Sequence, residues 1–256
     1  IHFIPGNHDK QNQELEDSYL DIFERSTSKI HIHKSGGHID IGKLTIAFMP
    51  FFTDEIYNEK LEYLTRKLYN RKKSGGTRFL FTHIAVNGVK NNDGSIVSED
   101  GHDAGMFTFY KRVFIGHYHD RQEFDNFTYI GSLKQNNFGE DAEKGWMLFY
   151  EDGDYEFEKA SFVEYKTIEV NLNSKTAAKM LDILKNKYGN QSNVKLRIVL
   201  RGSEGQLSAV DKKEYSEIGI ETKKVIESGF DVQTQTLDMI KIETRSDFID
   251  SFEEFL

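Results

Sequence analysis

Three short motifs constrain this chain more than any other feature. Gly6-Asn7-His8-Asp9 follows Ile1-His2-Phe3-Ile4-Pro5, His83 follows the segment from Arg78 to Thr82, and Gly116-His117-Tyr118-His119 follows the segment from Arg112 to Ile115. Each preceding segment reads as a short buried strand, so each motif sits where a strand gives way to a turn. Side chains at strand ends are held by rigid elements while the loops beyond leave room for a ligand. A fold that brings several such ends together is the simplest one that uses all three.

The residue types at these ends suit a metal centre. The Asn7 side-chain oxygen can bind a cation, and Asp9 is positioned to hold the ring of His8 in one orientation. His117 and His119 lie two apart, so in an extended segment both rings fall on one face. Imidazole and amide oxygen ligate Mn without adding negative charge beside a phosphate. Cleavage of a phosphoester needs a pair of cations about 3.5–4 Å apart and a group that stabilises the leaving oxygen. Taken singly the pieces are ambiguous: Asn-His-Asp after glycine also makes a plain turn, and His83 alone would suit a core histidine. Their joint occurrence, each after an apolar strand, carries the reading.

The rest of the chain narrows the class. Among 256 residues there is no cysteine, which excludes disulfides and thiolate metal sites and fits a reducing, cytoplasmic setting. A net charge of −9 weighs against a general polyanion binder, although bound cations can reverse the sign of a site. The longest nearly apolar run, Leu44 to Phe52, is too short to cross a bilayer, so no membrane partner is expected.

Periodicity predicts a helix after the first turn, with Leu15, Tyr19, Ile22 and Phe23 on one face, and a second from Asp54 with Tyr57, Leu61, Leu64 and Leu68 inward. Strands are predicted at 29–33, 44–52, 78–82, 112–115, 122–124, 128–130, 146–151 and 155–158. The polar stretch 87–105 reads as a long surface loop. Beyond Glu164 the pattern becomes strand, helix, strand, helix, strand, with Ser174 capping a helix that faces inward through Ala177, Leu181, Leu184 and Tyr188. Ser246 is expected to cap a last helix carrying Phe248, Phe252 and Phe255. His31, His33 and His38 read as solvated or partial core, and His102-Asp103 as loop. Arg66, Lys67, Arg71, Lys72 and Lys73 fit either a DNA backbone contact or the charge that suits a helix C-terminus.

The motif set resembles the later motifs of calcineurin-like metallophosphoesterases. Tyr129-Ile130-Gly131-Ser132, Asn137-Phe138-Gly139-Glu140 and Lys144-Gly145-Trp146 sharpen the likeness toward the SbcD-type nuclease subunit of double-strand-break repair complexes, including versions encoded by large bacteriophages. The resemblance implies an α/β fold, a β-sandwich flanked by helices, over residues 1–163. A small α+β capping domain would follow at 164–230, then a linker and the start of a helix at 231–256. It implies two divalent metal ions, Mn favoured, with Asn7, His83 and His117 on one and His119 on the other. His8 would act on the leaving oxygen, oriented by Asp9. The implied activity is Mn-dependent exonuclease and endonuclease cleavage of DNA, with an SbcC-type ABC ATPase as partner and a homodimer left open. The compartment would be the cytoplasm, the host's for a phage protein.

The family's first two motifs, an Asp-x-His and a Gly-Asp-x-x-Asp, are expected upstream of residue 1. The fold is therefore read as truncated at its N-terminus, with the second metal site incomplete and the isolated chain weakly active or inactive. Two alternatives stay open: an esterase acting on small phosphate esters, and a non-catalytic module that binds DNA or an ATPase.

Overall fold

The near-continuous apolar run Leu44 to Met49 forms an inner strand covered on both faces, as parallel strands require. The computed structural model describes residues 1–24, 29–71, 76–98, 101–150 and 152–227, and the chain divides into two units, Ile1–Phe162 and Val163–Leu256. The expected segment 231–256, with its Ser246-capped helix, lies outside the described residues.

The first unit opens with β1 (His2–Phe3), a 3₁₀ turn at Asn7–Asp9, the one-turn helix α1 (Asp21–Glu24) and β2 (His31–Ile32), which pairs parallel to β1. Then come β3 (Gly37–Ile41), β4 (Leu44–Met49), α2 (Asp54–Tyr69), β5 (Thr77–His83), β6 (Arg112–Gly116), β7 (Gln122–Glu123), β8 (Phe127–Tyr129), β9 (Gly145–Phe149) and β10 (Tyr155–Lys159). Six of these strands form one mixed sheet in the order β3-β4-β5-β6-β8-β7. Its inner strands β4, β5, β6 and β8 run parallel, and the edges β3 and β7 are antiparallel to their neighbours.

Alternation along these strands sorts the core into two layers. Ala47, Met49, Leu80, Val113 and Ile115 face α2, which buries Tyr57, Leu61, Leu64 and Leu68 at the predicted spacing. Each of these leucines contributes about 1.5–3 kcal/mol on burial. Leu44, Phe79 and Phe114 point the other way, onto Met147, Phe149 and Tyr155 of the antiparallel β9–β10 hairpin. The class is therefore α/β, and the layer opposite the helix is a two-stranded hairpin.

Three predictions for this unit differ. The segment before Gly6, expected as a buried strand, is the two-residue β1 with both residues exposed. The helix expected over Leu15–Phe23 is reduced to the single turn α1, and Leu15, Tyr19, Ile22 and Phe23 are all exposed. Asn12 Oδ1 takes the Glu14 N–H and Lys10 Nζ donates to Leu15 O, so side chains occupy backbone groups a helix would need. The stretch 87–105 is not a plain surface loop: Val86 and Val89 are fully buried, and Val86 bridges to His102. His102 sits against α2, its Nδ1 3.2 Å from Asn58 Oδ1 and its Nε2 3.3 Å from Asp54 Oδ1.

The second unit is a parallel sheet of β11 (Glu164–Asn171), β12 (Val194–Gly202) and β13 (Ile220–Ile226), in that order. α3 (Ala177–Tyr188) joins the first pair. Two short helices, α4 (Glu204–Ser208) and α5 (Lys212–Ser216), join the second pair where one helix was expected. Val170, Leu181, Leu184, Leu196, Ile198 and Leu200 form its core. Thr176 rather than Ser174 is the N-cap residue of α3, and Ser174 Oγ accepts from Thr176 N–H in the turn before it. Among the described residues no helix is long and apolar enough to cross a membrane.

Candidate metal centre

The parallel strands β4, β5 and β6 end side by side, with Met49 opposite Thr82 and His83 opposite Gly116. Ligands of parallel α/β sheets sit beyond such carboxyl ends. The first motif reaches the same place by a different route. Phe51 N–H, just after β4, donates to Pro5 O at 2.9 Å and draws the Gly6–Asp9 turn over the strand ends. On the helix side, the Tyr57 hydroxyl lies 2.7 Å from Thr82 Oγ1 and pins the residue before His83.

Asn7, His83 and His117 come together here. His83 Nε2 lies 3.0 Å from Asn7 Oδ1, and the rings of His83 and His117 meet edge to face at 5.3 Å between centroids. Two glycines make room for His83. A Cβ on Gly6 would stand 2.7 Å from its Cε1, and one on Gly116 would stand 2.8 Å from its Nδ1. The Phe51 ring lies parallel to His117 at 6.3 Å and edge-on to His83 at 6.2 Å, forming an apolar wall.

His117 has φ +99°, a left-handed conformation that a side chain bearing Cβ adopts only at a cost of about 1–3 kcal/mol. Its Nδ1 is buried without a hydrogen-bond partner. An orphaned ring nitrogen beside a second imidazole and an amide oxygen is the donor set a divalent cation would satisfy. Burial pushes His83 down to about 3, helped by the charges of His117 and His8. Burial also lowers His117, followed by the charges of His8 and His119. Both rings are thus neutral at physiological pH, the state in which imidazole ligates metal. The residues present fit a cation held by three neutral donors. Among the described residues no group of three His, Asp or Glu side chains has metal-binding spacing, and the third donor here is the Asn7 amide.

His119 has its own set of partners. Its ring Nδ1 lies 2.9 Å from Glu140 Oε1, and its N–H donates to Asn92 Oδ1 at 2.8 Å. Its carbonyl accepts from Lys144 Nζ at 2.6 Å and Ser132 N–H at 2.9 Å. Gly131, at φ +75°, passes so close that a Cβ would stand 2.9 Å from that carbonyl. His8 is exposed on the 3₁₀ turn beside Asn7.

The Asp9 carboxylate accepts the Gly6 N–H at 2.8 Å and so closes the turn on itself. Glu140, Lys144, Asn92 and Phe51 had no assigned role in the sequence. The first two lie in motifs that carried only a resemblance, and Asn92 lies in the stretch read as loop. The other histidines stand elsewhere: His2 and His33 stack with Phe48 and His31 stacks with His2, with His2 Nδ1 2.9 Å from His33 Nε2. Arg71 forms an ion pair with Asp40; Lys72 and Lys73 lie outside the described residues. Neither a protein-family model nor a curated protein matches the chain.

Proposed function

We propose that this chain carries a metal centre of the calcineurin-like phosphoesterase type and serves a DNA-cleaving nuclease resembling the SbcD type. The observation that carries the reading is the meeting of Asn7, His83 and His117 at adjacent strand ends with both imidazoles held neutral. Bound Mn would supply positive charge for the phosphate and an activated water. Asn7, His83 and His117 would hold one cation, and His119 would contribute to a second. His8, exposed beside Asn7, is free to reach a leaving oxygen and give it a proton. Phe51 walls the centre on its apolar side.

The second unit would serve as the DNA-capping domain, an SbcC-type ABC ATPase would be the partner, and the cytoplasm the compartment. One observation favours a second reading, a module that binds DNA or an ATPase without cutting. Among the described residues no carboxylate joins His83 and His117 in a metal-binding group.

The test compares wild type and His117→Ala with Mn²⁺ on double-stranded DNA, single-stranded DNA and a small phosphate ester. The proposal expects weak Mn-dependent DNA cleavage by this chain, which His117→Ala abolishes. Cleavage that survives His117→Ala, or turnover of the ester alone, would count against it. Absence of all turnover together with His117-dependent Mn²⁺ binding would favour the non-cutting module.

A further inference from the structure

We infer that Glu140 is a positioning residue of this centre: it fixes His119 with its proton on Nδ1, so that Nε2 presents a lone pair outward. The inference rests on the metal reading proposed above and extends it to a residue that is not itself a ligand.

The groups around the Glu140 carboxylate decide the tautomer. Oε1 accepts from Asn137 Nδ2 at 2.9 Å, Oε2 accepts from Asn136 N–H at 3.1 Å, and the Lys144 ammonium lies 3.5 Å from Oε2. Every one of these neighbours is a donor, so the carboxylate acts as acceptor. The ring nitrogen 2.9 Å from Oε1 must then donate, which places the proton on His119 Nδ1. In the neutral ring the other nitrogen, Nε2, becomes the lone-pair atom.

The direction of that lone pair follows from burial. The Glu140 side chain is 2% exposed and that of His119 is 41% exposed, so their hydrogen bond runs from the interior outward and Nε2 lies on the solvent side. The rest of His119 is equally constrained. Asn92 holds its N–H, while Lys144 and Ser132 hold its carbonyl. Lys144 has a fully buried side chain and also reaches Asp120 Oδ1 at 2.6 Å, so the ammonium ties the carbonyl of His119 to the carboxylate that holds its ring. Carboxylate–histidine pairs of this kind set ligand tautomer and basicity at metal sites.

The test uses the metal-free full chain labelled with ¹⁵N-histidine at pH 8, with long-range ¹H–¹⁵N correlation spectra. His119→Ala identifies the signal. Wild type and Glu140→Gln, whose amide oxygen can still accept, are expected to show the Nδ1–H form, and Glu140→Leu a shift toward Nε2–H. Mn²⁺ titration followed by electron paramagnetic resonance is expected to show affinity reduced about 10–100-fold in Glu140→Leu and less in Glu140→Gln.

A wild-type His119 in the Nε2–H form would overturn the inference, and so would a Glu140→Leu spectrum identical to wild type. Should Glu140→Leu fail to fold, the wild-type tautomer still decides. A wild-type chain with the Nδ1–H form that binds no Mn²⁺ would instead overturn the metal reading.

Discussion

Asn7 Oδ1 stands 3.0 Å from His83 Nε2, although 76 residues separate the two in sequence. In one tautomer this is a hydrogen bond. In the other, two lone pairs face each other, an arrangement that a cation relieves. The contact exists because the first turn is laid over the end of β5, with Gly6 and Gly116 on either side of the imidazole. The two glycines, the strained His117 and the Phe51 wall all act on the position of these donors.

The glycine cradle predicts a specific sensitivity. Gly6→Ala and Gly116→Ala each place a methyl within 2.7–2.8 Å of the His83 ring, so the ring must move. Each is expected to cost about 1–3 kcal/mol in urea denaturation and to weaken Mn²⁺ binding. Gly205→Ala, where nothing lies within 4 Å, serves as control and should be neutral or stabilising by about 0.4–1 kcal/mol. Wild-type melting and binding in both cradle variants would refute the close approach.

Lys144 gives a second prediction, on stability. Its side chain is fully buried and touches Asp120, Asp141 and Glu140. Lys144→Met leaves the Glu140 carboxylate buried without its cation and should cost about 3–5 kcal/mol. The double variant Lys144→Met, Glu140→Leu should recover part of that loss, because no uncompensated carboxylate then remains at position 140. A single variant within about 0.5 kcal/mol of wild type would show that the ammonium is dispensable.

The strands before His83 and His117 and the inward face of α2 were legible in the sequence because they depend on local periodicity. Tyr57, Leu61, Leu64 and Leu68 recur at helical spacing and are all buried. The helix expected around Leu15 failed because Asn12 and Lys10 capture nearby backbone groups, a competition that apolar spacing does not reveal. His102 is buried by contacts with α2, and 44 residues separate it from its partner Asn58. Asn7, His83 and His117, which the fold brings together, were recognisable by type and position. The link from Glu140 to His119 crosses 21 residues and depends on a turn closed by Asn137, so only the fold exposes it.

Acid should weaken the fold through the histidine stack. Burial, followed by the charges of His2 and His31, pushes His33 down to about 4 from the ordinary 6.5. The unfolded chain binds the proton more tightly, so this contribution to stability is complete above about pH 6.5 and is lost as pH falls through about 4. The Tm of the metal-free chain should fall across that window. His33→Phe, which keeps an aromatic ring against Phe48, should flatten the fall; equal slopes in the two proteins would exclude His33 as the cause.

His8 should act on turnover and not on metal binding. It is exposed, one residue beyond Asn7, and has no hydrogen-bond partner among the described residues. His8→Ala is expected to lower kcat on DNA about 10²–10⁴-fold, the range for a general acid, with Mn²⁺ affinity unchanged. Parallel losses of kcat and affinity would assign His8 to the metal instead.

The most direct test of the central claim is calorimetric titration of the full chain with Mn²⁺, comparing wild type with Asn7→Ala, His83→Ala, His117→Ala and, as a histidine control outside the centre, His33→Ala. Wild type and His33→Ala are expected to bind Mn²⁺ at a site that each of the other three variants weakens by more than the about 10–100-fold typical of a supporting residue. No binding by wild type, or equal binding by His83→Ala and His117→Ala, would contradict it.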